Sequence, residues 1–279
     1  MIYRETGNFV TNYLKDRQII NLSFDKYFLI VFLLIMLFYV PTMSEYALSA
    51  HIIPILAVGL ATLGLNILTG LTGQLSLGTA GFMSVGAFAT YNLLLRIPED
   101  LMSLPFALLI GGIFSGLVGV IFGLPAAKIK GFYLLVSTLA AQYFVWWFFN
   151  SYAWFLNYES SGVVALPPRM YDYWGLGSFL GIDMQGYGPR YVLAFLICLG
   201  LTYFAFNLMR SNTGRSFMSV RDRDIAAGVI GIPVVKTKML AFFISCFYCG
   251  VAGGLYCFAY IGNVDLMIFE IDRSFTILF

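Results

Sequence analysis

The chain has 279 residues, 60% of them hydrophobic and only 11% charged, with a formal net charge of +2. A soluble domain keeps about a quarter of its residues charged, so this composition excludes a soluble fold and calls for several crossings of a bilayer. In such a chain the placement of positive charge carries more information than its sum, and no nucleic acid partner is expected.

In chain order, residues 1–26 form an N-terminal arm with Arg4, Lys15, Arg17 and Lys26. The first apolar run follows this charged arm, which points to a retained span rather than a cleaved signal. A helix needs about 20 apolar residues to cross the hydrocarbon core. Seven segments are predicted on that basis: 27–43, 49–71, 74–95, 104–127, 131–156, 191–209 and 239–261. Together they make residues 27–279 one transmembrane domain of an all-α polytopic membrane protein.

If the segments alternate, one side receives the arm, Lys128 and Lys130, and then Arg210, Arg215, Arg221, Arg223, Lys236 and Lys238. The other side receives Arg96, Arg169, Arg190 and Arg273. Positive charge marks the cytoplasmic face, so the N-terminus is expected inside. Two connections exceed what threading requires: an external loop at 157–189, with Pro167, Pro168 and Trp174, and an internal loop at 210–238. Both are candidates for docking other proteins. The last residues, SFTILF, read like the first turn of a further span, so a truncated product lacking C-terminal spans is expected.

Small residues are concentrated where lipid-facing helices have no use for them. Gly112, Gly116, Gly119 and Gly123 form one helical stripe, and Cys246, Cys249, Gly250, Gly253, Gly254 and Cys257 form another. Both read as packing faces, since helices in lipid associate through close backbone approach. Cys246 and Cys249 spell C-x-x-C without the context of a redox or zinc site.

The stretch GLNILTGLTGQLSLGTAGFMSVGAFATY, residues 64–91, is different. Its glycines keep no single stripe, and Thr69, Thr72, Gln74, Ser76, Thr79 and Ser84 are interleaved with them. A turn must occur near 71–74 without any charge to mark it. Interrupted helix at membrane depth requires a protein or water-lined surround, and broken helices in transporters form binding sites. The stretch is therefore expected to line or shape a translocation path. Dense helix packing around a tight turn would use the same residues.

Catalytic signatures are missing. The one histidine, His51, stands at the start of a span. No H-E-x-x-H, G-x-S-x-G or Cys/His cluster occurs, and no paired carboxylates lie inside a segment. Intramembrane acids of the kind that ion-driven carriers use are lacking, as is the P-loop G-x-x-x-x-G-K-[ST]. No enzyme activity and no cofactor or metal site are therefore expected of this chain. Transport would be passive or driven by a partner. In SVRDRDIAAGVIGIPVV, the charges Arg221 to Asp224 precede a short apolar run stopped by Gly231 and Pro233. That reads as a short amphipathic helix, whose Ile225, Ala226, Val229 and Ile230 would fill a groove on a partner or lie at a lipid interface.

These motifs resemble a known family. The 64–91 stretch is similar to the signature region of permeases from branched-chain amino acid ABC importers. GRSFMSVRDRDIAAGVIGIPVVKTKMLAFFISCFYCGVAGGLY resembles their coupling loop and following span, and GFYLLVSTLAAQ, residues 131–142, resembles the family's G-x-Y-x-x-x-x-T-L segment. The extended arm favours the M-type subunit. The resemblance implies a type II-like importer permease in the bacterial inner membrane. It would work with a second permease, two cytoplasmic ATPases that use ATP and Mg, and a periplasmic binding protein. Arg215, Arg221, Asp222, Arg223, Asp224 and Gly231 would form the ATPase coupling element, and Asn66, Thr69, Gln74, Ser76, Thr79 and Ser84 the path. AAQYFVWWFFN and ESSGVVALPPR depart from the family's pattern. The expected solutes therefore extend from branched-chain amino acids to related small solutes such as aromatic carboxylates, urea or amides. The rival expectations are a self-sufficient secondary carrier or channel, and a membrane-embedded scaffold.

Overall fold

Because lipid provides no hydrophobic drive for helix association, this fold is built where small residues let backbones touch. The computed structural model describes residues 23–98, 102–126, 132–159, 162–166 and 186–278. Arg4, Lys15, Arg17, Lys128, Lys130 and the greater part of the 157–189 loop, including Arg169 and Trp174, lie outside the described residues.

The chain divides into two units, Met1–Met43 and Ser44–Phe279. In the first, α1 (Ser23–Leu34) continues through a π-helical turn and a 3-10 turn to Thr42. Its apolar side chains, Phe24, Phe28 and Phe38 among them, are exposed, as a lipid-facing span requires.

The second unit is a helical bundle. Helix α2 (Ile53–Asn66) lies within a continuous helical run, Glu45–Leu71, whose last turn is π-helical. Then come α3 (Thr79–Arg96), α4 (Leu104–Ala126) and α5 (Phe132–Ser151). After β1 (Val163–Ala165) follow α6 (Tyr187–Arg210), α7 (Asn212–Asp222), α8 (Asp224–Val229) and α9 (Val234–Leu255). The chain closes with β2 (Asn263–Asp265) and α10 (Ile271–Leu278). The two strands pair antiparallel, Val164 opposite Val264.

Helix α9 is the axis, packed on α2, α3 and α4. The two small-residue stripes meet there. A Cβ added at Gly112, Gly116, Gly119 or Gly123 would strike Val251, Phe243, Cys246 or Phe242 of α9. On the other side, Gly86 of α3 lies so close to Gly250 that an added Cβ would stand 2.2 Å from its carbonyl oxygen. Ser115 of α4 places its hydroxyl 2.7 Å from the Phe82 carbonyl of α3 and 2.9 Å from the Cys246 carbonyl of α9, tying three helices at one level. All four cysteines are buried and free.

Each expected apolar segment contains a helix, and among the described residues five helical runs are long and apolar enough to cross a membrane: Phe24–Thr42, Glu45–Leu71, Leu104–Pro125, Tyr187–Arg210 and Val234–Ile261. The protein is thus a helical polytopic membrane protein, apart from the β1–β2 ribbon. Helix α3 falls short of that apolarity because it carries Gly, Ser, Thr and Asn along its length and ends on Arg96. In α3 those residues face protein on nearly every side.

Two boundaries differ from the sequence reading. Helix α3 starts at Thr79 rather than 74, because Gly73 adopts φ +69°, a left-handed conformation that ends the preceding helix. Helix α9 starts at Val234 rather than 239, so Lys238 lies inside a helix and is buried.

Contacts sort the connections onto two faces, in agreement with alternation. Arg96, ending α3, donates to the Trp154 carbonyl beyond α5 at 3.0 Å and stacks over the Trp154 ring at 3.8 Å. The β1–β2 ribbon joins the ends of α5 and α9. At the other end of the bundle, the α7 terminus reaches the end of the Glu45–Leu71 run.

Candidate functional site

The 64–91 stretch contains a true break. Thr69 and Thr72 turn their hydroxyls back onto the Leu65 and Leu68 carbonyls at 2.9 and 2.6 Å. The Gly73 and Gln74 N–H groups close the helix end on the Thr69 and Leu68 carbonyls. Residues 73–78 are then irregular, and α3 begins without a side-chain cap from Gly78. Phe82, in the first turn of α3, shares the Ser115 hydroxyl, and Ser115 stands about half way along α4. The irregular backbone therefore leads to the middle of the bundle rather than to its end.

Irregular backbone at that depth must find protein partners, and it does. Leu77 N–H donates to Thr138 Oγ1 of α5 at 3.0 Å. Ala80 N–H donates to Ser274 Oγ of α10 at 2.9 Å, and Ser274 donates onward to Gln142 Oε1 of α5 at 2.8 Å. Gln142 Nε2 in turn reaches the Phe269 carbonyl at 3.4 Å. A Cβ on Gly78 would stand 2.8 Å from the Thr138 carbonyl oxygen, so the glycine is what allows α5 this close. Sequence reading did not nominate Thr138, Gln142 or Ser274. The available signal was a Thr and a Gln inside an otherwise greasy run.

The six path candidates are not gathered around one opening. Asn66 is exposed at the end of α2 and Thr69 is half-buried. Gln74, Ser76, Thr79 and Ser84 are buried. Ser76 accepts from the Gly78 N–H at 3.3 Å, and Ser84 is committed to the Gly81 carbonyl at 2.7 Å. Gln74 is the exception in chemistry: both ends of its amide are buried without a hydrogen-bond partner among the described residues, as is the Thr79 hydroxyl. Two cavities lie nearby. One of about 220 Å³ is lined by Gln142, Tyr143, Trp146, Phe269, Glu270 and Ile271. The other, about 320 Å³, is an apolar crevice between α3, α4 and α5. Neither is lined by any of the six.

The second candidate set is brought together. Ser211 caps α7, and Arg215 in its first turns bonds the Asn212 side chain. The backbone bends at Arg223, whose φ of −154° is extended, and α8 starts at Asp224. Gly231 takes φ +96° and ends the element ahead of Pro233. Within the charge run, Arg221 pairs with Asp222 at 3.1 Å and Asp224 pairs with Lys238 of α9 at 3.7 Å. Arg223 is exposed. Helix α8 buries Ala227 alone, leaving Ile225, Val229 and Ile230 at 77%, 84% and 79% exposure. Ile225 and Val229 on this six-residue helix, with Ile230 just beyond it, make a small apolar docking face preceded by charges.

The two sets are joined. Arg221 Nη1 donates to the Gly70 carbonyl at 2.9 Å, in the π turn that ends the Glu45–Leu71 run. The Arg221 stem lies against Gly73, where an added Cβ would stand 3.0 Å from its Cγ.

Residues 47–278 match the family model described as the branched-chain amino acid transport system / permease component. The chain is 28% identical over 221 residues to the high-affinity branched-chain amino acid transport system permease protein LivM of Salmonella typhimurium, covering 70% of this chain and 48% of that protein. It is also 28% identical over 218 residues to the protein of the same name from Escherichia coli, with the same coverage. The chain thus spans about half the length of the curated relatives it matches. No solved structure matches.

Proposed function

The chain belongs to the branched-chain amino acid transport system permease family, and on that premise we propose that it is a translocation subunit of an ATP-driven importer. Its cargo is a branched-chain amino acid or a related small solute such as an aromatic carboxylate, urea or an amide. It works in a bacterial inner membrane, with the N-terminus cytoplasmic, beside a second permease, two ATPases and a periplasmic binding protein. ATP and Mg act in the ATPases.

The observation that carries this reading is the exposed apolar face of α8. Ile225, Val229 and Ile230 stand out from the bundle on an element held by the Asp224–Lys238 pair. An amphipathic helix docking into a partner's groove uses such closely spaced anchors, and buried apolar anchors dominate such contacts. The absence of a P-loop from the sequence makes an ATPase the natural partner. Closure of the ATPases on nucleotide would move α8 and, through it, the helices that carry the break.

The test is purification of the tagged chain from native membranes in mild detergent, with co-purifying proteins identified by mass spectrometry. An ATP-binding protein and a second permease are expected with the wild type. The Ile225→Asp, Val229→Asp double variant should insert normally and lose the ATPase. A chain that comes out alone and moves leucine in liposomes without ATP would overturn the reading in favour of a self-sufficient carrier or channel.

A further inference from the structure

From the geometry at the helix break we propose that Arg221 is a positioning residue that transmits movement of the coupling loop to the broken helix. This rests on the reading of α8 as the ATPase contact, and goes beyond it by giving Arg221 an internal role. Its neighbours in the charge run divide the work. Asp224 pairs with Lys238 of α9 and fixes α8 to the axis of the bundle. Asp222 accepts from Arg221 Nε at 3.1 Å and steadies the guanidinium. Arg221 Nη1 is thereby aimed at the Gly70 carbonyl, 2.9 Å away.

The acceptor is a specific one. At the end of a helix the last carbonyls lack intrahelical donors, and cations are favoured there. The Leu68 and Thr69 carbonyls receive the Gln74 and Gly73 N–H groups, and the Gly70 carbonyl receives Arg221 instead. Three residues on, Gly73 at φ +69° gives the Arg221 stem room, with only 3.0 Å from a built Cβ to its Cγ. One side chain on the loop thus touches both the last turn before the break and the first residue of the break itself. The hydrogen bonds of Gly73 and Gln74 that define the break lie directly behind this contact. A shift of α7 pulls on the Gly70 carbonyl and so loads those two bonds.

The experiment is hydrogen–deuterium exchange on the purified native complex, with and without a non-hydrolysable ATP analogue and Mg. In the wild type, nucleotide should change the exchange of the peptide covering residues 67–78 by at least about fivefold, the lower end of ordinary coupling between sites. Arg221→Met should keep the ATPase bound and lose that response. Arg221→Lys, which retains a donor, should recover part of it. Gly73→Ala should lose it too while leaving the loop's sequence intact, because the added methyl displaces the Arg221 stem and alanine is strained at φ +69°. A wild-type response in Arg221→Met, or no response in a wild-type complex that holds its ATPase, would overturn the link. Loss of the ATPase from Arg221→Met would also overturn it, by making Arg221 a partner contact. A wild-type chain with no ATPase at all would instead sink the importer reading on which the link stands.

Discussion

Gln74 shows how little of a polar side chain's role its type discloses. Its amide is buried, and neither end meets a hydrogen-bond partner among the described residues. A buried unsatisfied polar group costs about 1–3 kcal/mol, and replacing it with an apolar group of similar shape is neutral or stabilising. Gln74→Met is therefore expected to hold or raise the thermal midpoint in detergent and, on the proposed transport role, to lower solute uptake. A fall of the midpoint instead would mark Gln74 as a structural residue. Ser274 is the opposite case, since it serves the Ala80 N–H and Gln142 Oε1 together. Ser274→Ala strands both, at a cost of about 1–3 kcal/mol, and a lower midpoint in the same assay is the expected reading.

Among elements, the small residues of α4 and α9 are legible as packing faces because their spacing follows the helical period. What spacing leaves open is which stripe meets which, and how closely. An added Cβ at Gly253 would lie 2.0 Å from the Met83 carbonyl oxygen, whereas at Gly200 it would meet nothing within 4 Å. Gly253→Ala forces backbone apart, and overpacking of that kind costs about 1–3 kcal/mol or more. It should sharply reduce the yield of folded protein on size-exclusion chromatography. Gly200→Ala should leave the yield unchanged or raise it, because alanine favours helix over glycine by about 1 kcal/mol. The short element α8 is legible as well, from its charges, its apolar run and the Gly231–Pro233 stop. Its anchor on Lys238 is not, because hydropathy alone starts the apolar run after that lysine whereas the helix starts before it.

For the whole molecule, alternation of the spans puts the α7–α8 loop and the β1–β2 ribbon at opposite ends of the bundle. Val229 is 84% exposed and Val163 37%, while the four native cysteines are buried and give little background. In sealed vesicles, a membrane-impermeant maleimide should label Val229→Cys and Val163→Cys from opposite sides. Labelling of both from one side would contradict the alternation.

By itself, the sequence determined the solvent, the helical class, the order of the spans, the packing stripes and the family. Each of these is written in stretches of neighbouring residues, as mean hydropathy, helical period or motif. The tertiary structure alone decided how the break is held and what it touches. Leu77 meets Thr138 from 61 residues away, Arg221 meets Gly70 from 151, and Ala80 meets Ser274 from 194. No window along the chain contains such pairs. They exist because irregular backbone inside a bundle must take its hydrogen bonds from whatever side chains the packing of other helices brings within reach.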